Sequence, residues 1–131
     1  MGEGRPERKS SLIMASKVGD VGVVNFLTSQ VLDELNVQQL GTELNDLVDK
    51  QYMVRMVINF SKIKFLSSAV LGKLISLNKK IGAQKGRLAF SNINADIMQV
   101  FKITRLDKLI PIYEDEEEAV KAVLKPGLFG K

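Results

Sequence analysis

Residues 53–77 read MVRMVINFSKIKFLSSAVLGKLISL, and this stretch decides the predicted fold. It opens with an apolar run that ends at Phe60 and includes the β-branched Val57 and Ile58. Such a run is typical of a strand covered on both faces. After a short polar stretch, apolar residues recur at helical spacing at Leu71, Leu74, Ile75 and Leu77. The sequence therefore predicts a buried strand joined by a short loop to an amphipathic helix.

The junction between this strand and this helix carries a serine pair. Ser67 and Ser68 directly precede the helical pattern, where serine is a favoured N-cap residue. A hydroxyl at this point lies beside unpaired helix N–H groups and the positive end of the helix dipole, which favours a phosphate. The local sequence leaves two interpretations open, namely a helix cap alone or a phosphorylation switch.

The first third of the chain predicts two strands and a helix. Residues 12–18 and 21–27 are rich in β-branched and apolar residues on either side of a turn. Asn36 and Gln39 have the spacing of a capping box, which predicts that a helix begins there. The apolar stripe of this helix continues to about Lys50.

The central helix is predicted to run from Ser68 to Ile81, with Gly82 as its C-cap. Residues 88–90 then predict another strand. Asn94 is a candidate cap for a short helix. The residues of this helix expected to face inward are Ile97, Val100 and Phe101.

The end of the chain predicts a last strand and a last helix. Residues 109–113 form an edge strand in this interpretation, because Pro111 cannot donate a ladder hydrogen bond. The acidic run 114–118 complements the dipole of a helix that opens there and ends at residues 126–127. The complete order is β-β-α-β-α-β-α-β-α. This order indicates an α/β fold with a largely parallel sheet and packed helices.

The composition excludes several kinds of chemistry. The 131 residues include neither cysteine nor histidine. Disulfides, thiolate metal sites and Ser–His or Cys–His catalysis are therefore impossible. The carboxylates of residues 114–118 lie on different faces of a helix turn and do not converge on a metal. We expect no enzyme activity, no cofactor and no metal.

The net charge is +4, and the charges are segregated along the chain. Residues 62–108 contain ten lysines and arginines against two aspartates. This segregation favours either a face that selects partners or ordinary solvated helix faces, and both stay open. A nucleic-acid site would need interleaved aromatic residues, but Phe65 and Phe90 fit core positions better. We expect no nucleic-acid binding and a solvated helix face for the basic set Lys73, Lys79, Lys80, Lys85 and Arg87.

The segment FLSSAVLG at residues 65–72 resembles a family motif. In sulfate transporter and anti-sigma factor antagonist (STAS) domains, and in particular in the small stand-alone anti-sigma factor antagonists, a strand and a loop lead into D-S-[ST]-G-L-G at the start of a helix. The resemblance extends over about residues 13–124 in the order and length of the elements. It implies a STAS-like α/β fold with a mixed, largely parallel sheet.

A gapless comparison with that motif implies the site residues. Ser67 falls on the motif aspartate, Ser68 on the first serine and Ala69 on the hydroxyl residue that the family phosphorylates. Leu71 and Gly72 match the closing L-G. The resemblance thus implies a partner-binding and switch site made of these five residues, with Ser68 as the candidate phosphosite. The chain departs from the motif because residue 67 has no carboxylate and residue 69 has no hydroxyl.

The function that the resemblance implies is regulation by protein–protein binding. The implied partner is an anti-sigma factor, itself a serine kinase of the histidine-kinase-like ATPase type, which releases its sigma factor when it is bound. The interface would comprise the loop 61–68 and the helix start up to Gly72. A phosphate at this point adds about −1.5 to −2 charges and would disrupt the packing against a partner.

Two alternative functions and a homodimer stay open. A small-ligand- or lipid-handling STAS domain would need a sizeable apolar pocket at the strand ends. A non-switching scaffold subunit of a signalling assembly would suit the alanine at position 69.

The length and composition predict one domain with two tails. We expect the STAS domain to span residues 11–125, a flexible tail to span residues 1–10, and a C-terminal tail to span residues 126–131. No apolar run approaches the roughly 20 residues of a membrane span. The opening MGEGRPERKS has no apolar signal core. We therefore expect a cytoplasmic protein without membrane insertion.

Overall fold

The computed structural model describes residues 10–125. Its strands are β1 (Ile13–Val18), β2 (Val21–Phe26), β3 (Gln30–Val31), β4 (Arg55–Asn59), β5 (Phe65–Leu66), β6 (Arg87–Ser91) and β7 (Ile112–Tyr113). Its helices are α1 (Glu34–Gln51), α2 (Ser68–Ala83), α3 (Ala95–Ile103), α4 (Leu106–Leu109) and α5 (Glu116–Leu124). The predicted α/β order is confirmed, with β3, β5 and α4 added to it. The predicted tails, apart from Ser10, and the predicted helix end at residues 126–127 lie outside the described residues.

The main sheet has the strand order β1-β2-β4-β6-β7. β1 pairs antiparallel with β2, and all other pairs in this sheet are parallel. The sheet is therefore mixed and largely parallel, as predicted. β7 lies at an edge, which fits the proline that precedes it. β3 and β5 form a separate parallel pair of two residues each.

β4 lies in the middle of the sheet and is buried on both faces. Met56 and Ile58 belong to the main core, to which α1, α2 and α3 contribute. Val57 points to the opposite face, where it packs in a smaller cluster with Val23 and with residues of α5. The predicted two-sided burial of this strand is confirmed, because its side chains alternate between two apolar layers.

Replacing Ile58 with alanine should lower the free energy of unfolding by about 2–5 kcal/mol, because the change leaves a cavity in the main core. Ile58 is 0% exposed. The matched control is Ile103→Ala, since Ile103 is 77% exposed and should change stability by less than about 1 kcal/mol. Urea unfolding followed by circular dichroism measures both variants. Equal shifts in the two variants would contradict the central position of β4.

The predicted N-cap of α1, Asn36, is wrong by three residues. Asp33 is the N-cap, and its Oδ1 accepts the backbone N–H of Asn36 at 2.8 Å. Asn36 therefore lies inside the first turn. Gln39 does not close a capping box, because its side-chain amide donates to the Ser10 carbonyl and to Glu43. Aspartate and asparagine cap equally well, and the sequence offered both.

The predicted C-cap of α2 is also wrong. The helix continues through Gly82 to Ala83, and Gln84 is the C-cap. A glycine inside a helix costs only about 1 kcal/mol relative to alanine, which packing of the helix can offset. The reversal into β6 uses Lys85, whose φ is 62°, and Gly86, where a Cβ would clash with the carbonyl oxygen of Val54.

Two further expectations about the C-terminal third need correction. Leu109 lies in α4 instead of the last strand and is 51% exposed, so β7 contains only Ile112 and Tyr113. Val100 does not face inward, since it is 41% exposed. Asn94 caps α3 as predicted, and its Oδ1 accepts the N–H of Ile97 at 2.9 Å.

Candidate functional site

The loop between β4 and β5 is held at several points. The Asn59 side chain accepts the N–H of Ser61 at 2.8 Å through Oδ1. Ile63 is 1% exposed, and its carbonyl accepts a hydrogen bond from Asn94 Nδ2 at 3.0 Å. A polar clamp and an apolar anchor therefore fix the path of the chain toward α2.

The pairing of β3 with β5 sets the position at which α2 begins. The Ser29 carbonyl accepts the N–H groups of Lys64 and Phe65 at 2.7 and 3.3 Å. The N–H of Ser67 donates to the Val31 carbonyl at 2.9 Å. This backbone ladder joins two segments that are distant in sequence, and it fixes the position of the chain at the start of α2.

Ser67 occupies the N-cap position of α2, as the serine pair predicts. Its backbone is extended, with φ −78° and ψ 157°, and its carbonyl accepts the N–H of Val70 at 3.1 Å. Its side chain makes no capping bond, however. Ser67 Oγ is buried and has no hydrogen-bond partner among the described residues. Ser67 therefore caps through its backbone alone.

Three of the five predicted site residues face solvent at the start of α2. Ser68, Ala69 and Gly72 are exposed, and their spacing places them on neighbouring positions of the helix surface. A Cβ built on Gly72 would meet no atom within 4 Å, so the surface is open there. Leu71 is 7% exposed and packs into the main core. Its contribution to this surface is therefore indirect.

Sequence reasoning missed the apolar residues around this helix start. Phe65, expected in the core, is 58% exposed, and Leu32 and Leu35 are 47% and 67% exposed. The pairing of Val31 with Leu66 places Leu32 beside the N-cap of α2. We call Leu32, Leu35 and Phe65 the apolar rim. The two-residue strands that arrange it are too short to leave a periodic signal in the sequence.

The basic residues of α2 are partly engaged by α1. Lys73 Nζ donates to Gln38 Oε1 at 3.1 Å, and Lys80 Nζ lies 2.8 Å from Asp49 Oδ1. Gly41 makes room for the aliphatic part of Lys73, which a Cβ at that position would meet at 2.8 Å. These lysines were expected on a solvated face, but they bond across the interface between two helices. The Lys73 contact joins the two helices near their starts, and the Lys80 contact joins them near their ends.

The described residues offer little for other kinds of site. Within residues 10–125, no group of three or more carboxylate, histidine or cysteine side chains is arranged to hold a metal. Asp115 caps α5, with its Oδ1 accepting the N–H of Glu118 at 2.8 Å. Cavities of about 280 and 370 Å³ lie along β6 and β7, away from the start of α2. None of the described helices combines the length and apolar character that crossing a bilayer requires.

Comparisons with known proteins agree with this architecture. The anti-sigma F factor antagonist of Paenibacillus polymyxa is 22% identical over 99 residues, which cover 76% of this chain and 85% of that protein. The crystal structure of an anti-sigma factor antagonist from Mycobacterium paratuberculosis superposes with a TM-score of 0.76 at 23% identity, covering 86% of this chain and 93% of that one. The unphosphorylated form of the antagonist SpoIIAA gives a TM-score of 0.65 at 19% identity, covering 86% and 97%.

The family model described as the STAS domain matches residues 13–119. This range begins at β1 and reaches into α5, so it includes the whole main sheet and the start of α2. The chain belongs to the STAS domain family.

Proposed function

We propose that this chain is an anti-sigma factor antagonist-like regulator that binds an anti-sigma factor through the start of α2. The observation that carries the proposal is an uncharged, open helix surface beside the apolar rim. Ser68, Ala69 and Gly72 leave room for a partner, and exposed apolar side chains next to them supply area to bury. The relatives named as anti-sigma factor antagonists support this choice.

The proposed partner is an anti-sigma factor that is also a serine kinase of the histidine-kinase-like ATPase type. Kinase and antagonist would then meet in the cytoplasm. Because Ala69 stands where the family's phosphorylated residue is expected, the chain should be a poor substrate or a permanently active antagonist. With no hydroxyl at position 69, no phosphate charge of about −2 can be added at that position, and the apolar contacts around it are kept.

Placing a carboxylate at the start of α2 tests this proposal. Ser68→Glu should weaken binding to the cognate anti-sigma kinase at least about tenfold, because the partner must desolvate the new charge. Ser16→Glu is the matched control, since Ser16 is exposed on β1 and should bind as the native chain does. Isothermal titration calorimetry measures the affinities, and circular dichroism checks the fold. If both variants keep native affinity, this surface does not bind the kinase.

A further inference from the structure

Within residues 10–125, the beginning of β6 has no neighbouring strand on the side of β7, and Leu88 at this point is 4% exposed. β7 pairs only with Phe90 and Ser91, so it leaves the beginning of β6 uncovered on that side. The N–H of Arg87 donates to Val54 of β4, and the N–H of Phe90 donates to Pro111. Because peptide groups alternate along a strand, those of Leu88 point away from β4, toward the side of β7. In the part of the chain that the structure describes, Leu88 has no strand partner there.

Pro111 explains why the pairing stops at this point. In the parallel register of Phe90 with Ile112, the residue that would donate to the Leu88 carbonyl is Pro111. Proline has no N–H, so this ladder bond cannot form. Among residues 10–125, the N–H and the carbonyl of Leu88 therefore have no ladder partner on this side, and an added strand could pair with both.

A cavity of about 280 Å³ lies along this open edge. We call it the edge groove, and its lining includes Asn78, Gly82, Arg87, Leu88, Pro111 and Val123. A Cβ on Gly82 would meet no atom within 4 Å, so the α2 side of the groove is open. The groove therefore has space for a side chain next to the unpaired peptide groups.

The surroundings of the edge groove are basic. Arg87 is half-buried in its lining and donates one bond, from Nη1 to the Ala122 carbonyl at 3.2 Å. A guanidinium carries five N–H donors, so others stay available. Lys79 and Lys85 adjoin lining residues, and in the described part of the chain no carboxylate lies within salt-bridge distance of Arg87. Glu114 belongs to a different cavity.

We propose that the edge groove binds an extended, acidic peptide segment of a partner protein as an additional strand of the sheet. The backbone of the segment pairs with Leu88, one side chain enters the cavity, and its carboxylates meet Arg87 and the neighbouring lysines. This surface lies at the opposite end of α2 from Ser68. The chain can therefore hold a second partner while its helix start is occupied.

The test uses the acetylated and amidated peptide EVDLE with the full chain labelled for nuclear magnetic resonance. Titration to millimolar peptide should shift the Leu88 amide resonance and slow its hydrogen exchange severalfold. The basic peptide KVKLK should bind at least about tenfold more weakly. If EVDLE changes neither the Leu88 amide resonance nor its hydrogen exchange, strand addition is overturned. If EVDLE and KVKLK bind with equal affinity, recognition of acidic side chains is overturned.

A substitution that fills the edge groove with a side chain gives a second test of the proposal. Gly82→Leu adds a side chain where space exists and improves helix propensity, so the variant should fold and bind EVDLE at least about tenfold more weakly. Gly72→Leu is the control on the same helix, and it should leave EVDLE binding unchanged. Conversely, Gly82→Leu should keep native affinity for the anti-sigma kinase, which separates this inference from the proposed function. Native EVDLE affinity in Gly82→Leu would overturn the inference.

Two other occupants are distinguished in the same experiment. If removal of residues 126–131 speeds exchange of the Leu88 amide without peptide, the chain's own C-terminal segment fills the groove. If the protection of Leu88 rises with protein concentration, a second copy fills it. Either result overturns the assignment of an acidic partner. The assignment is supported if the hydrogen exchange of the Leu88 amide depends neither on residues 126–131 nor on protein concentration.

Discussion

Replacing Phe60 with alanine should lower the free energy of unfolding by about 3–5 kcal/mol. Phe60 is 1% exposed and joins three other aromatic rings. Its ring centroid lies 5.3 Å from Phe26, 5.0 Å from Phe90 and 5.8 Å from Phe101. The change removes a large side chain from the main core and breaks edge-to-face contacts that add to its burial. Urea unfolding measures the loss.

The control for this prediction is Phe65→Ala, five residues later in the same loop region. Phe65 is 58% exposed, so its loss should change the stability by less than about 1 kcal/mol. The same substitution should weaken binding to the anti-sigma kinase, because Phe65 belongs to the apolar rim. The two phenylalanines thus separate stability from binding. Equal destabilisation by both variants would show that Phe65 is part of the core after all.

Restoring a hydroxyl at position 69 should create a working phosphorylation switch. Ala69→Ser places a serine on the exposed first turn of α2, where a phosphate is favoured by the helix dipole. With the cognate kinase and ATP, the variant should gain one phosphate, and its affinity for the kinase should then fall on the order of a hundredfold. Intact-mass analysis and calorimetry measure the two effects.

The unmodified chain is the reference for this switch experiment, and it should gain no phosphate under the same conditions. Stoichiometric phosphate on native Ser67 or Ser68 would contradict the gapless register with the family motif. If phosphorylated Ala69→Ser binds as tightly as before, the start of α2 is not the control point. A non-switching scaffold subunit would then be the better description of this chain.

The helix start that carries the candidate site was predictable because it rests on local signals. The apolar run around Ile58, the serine pair and the helical stripe after it all act within about ten residues, where periodicity and capping are strong. Those signals located the start of α2, and the motif resemblance gave the family. They misplaced the start of α1 and the end of α2, because several residues competed for each cap.

Other features depend on contacts between distant segments, which local sequence does not encode. Phe65 is a large apolar residue, so the sequence alone predicts that it is buried in the core. In the structure Phe65 pairs with Gln30, and its side chain faces solvent. Lys73 has the pattern of a solvated lysine, but Gly41 of the neighbouring helix gives it room to reach Gln38.

The sequence by itself determined the order of the elements, the buried central strand and the position at which α2 begins, since each follows from periodicity and turn chemistry in one window. Only the tertiary structure decided which apolar residues surround that helix start and which peptide groups of β6 have no ladder partner among residues 10–125. The open edge at Leu88 needs both the parallel register of β6 with β7 and the proline at position 111. Neither the rim nor the edge is visible until strands distant in sequence are paired, because pairing determines which side chains and peptide groups remain free.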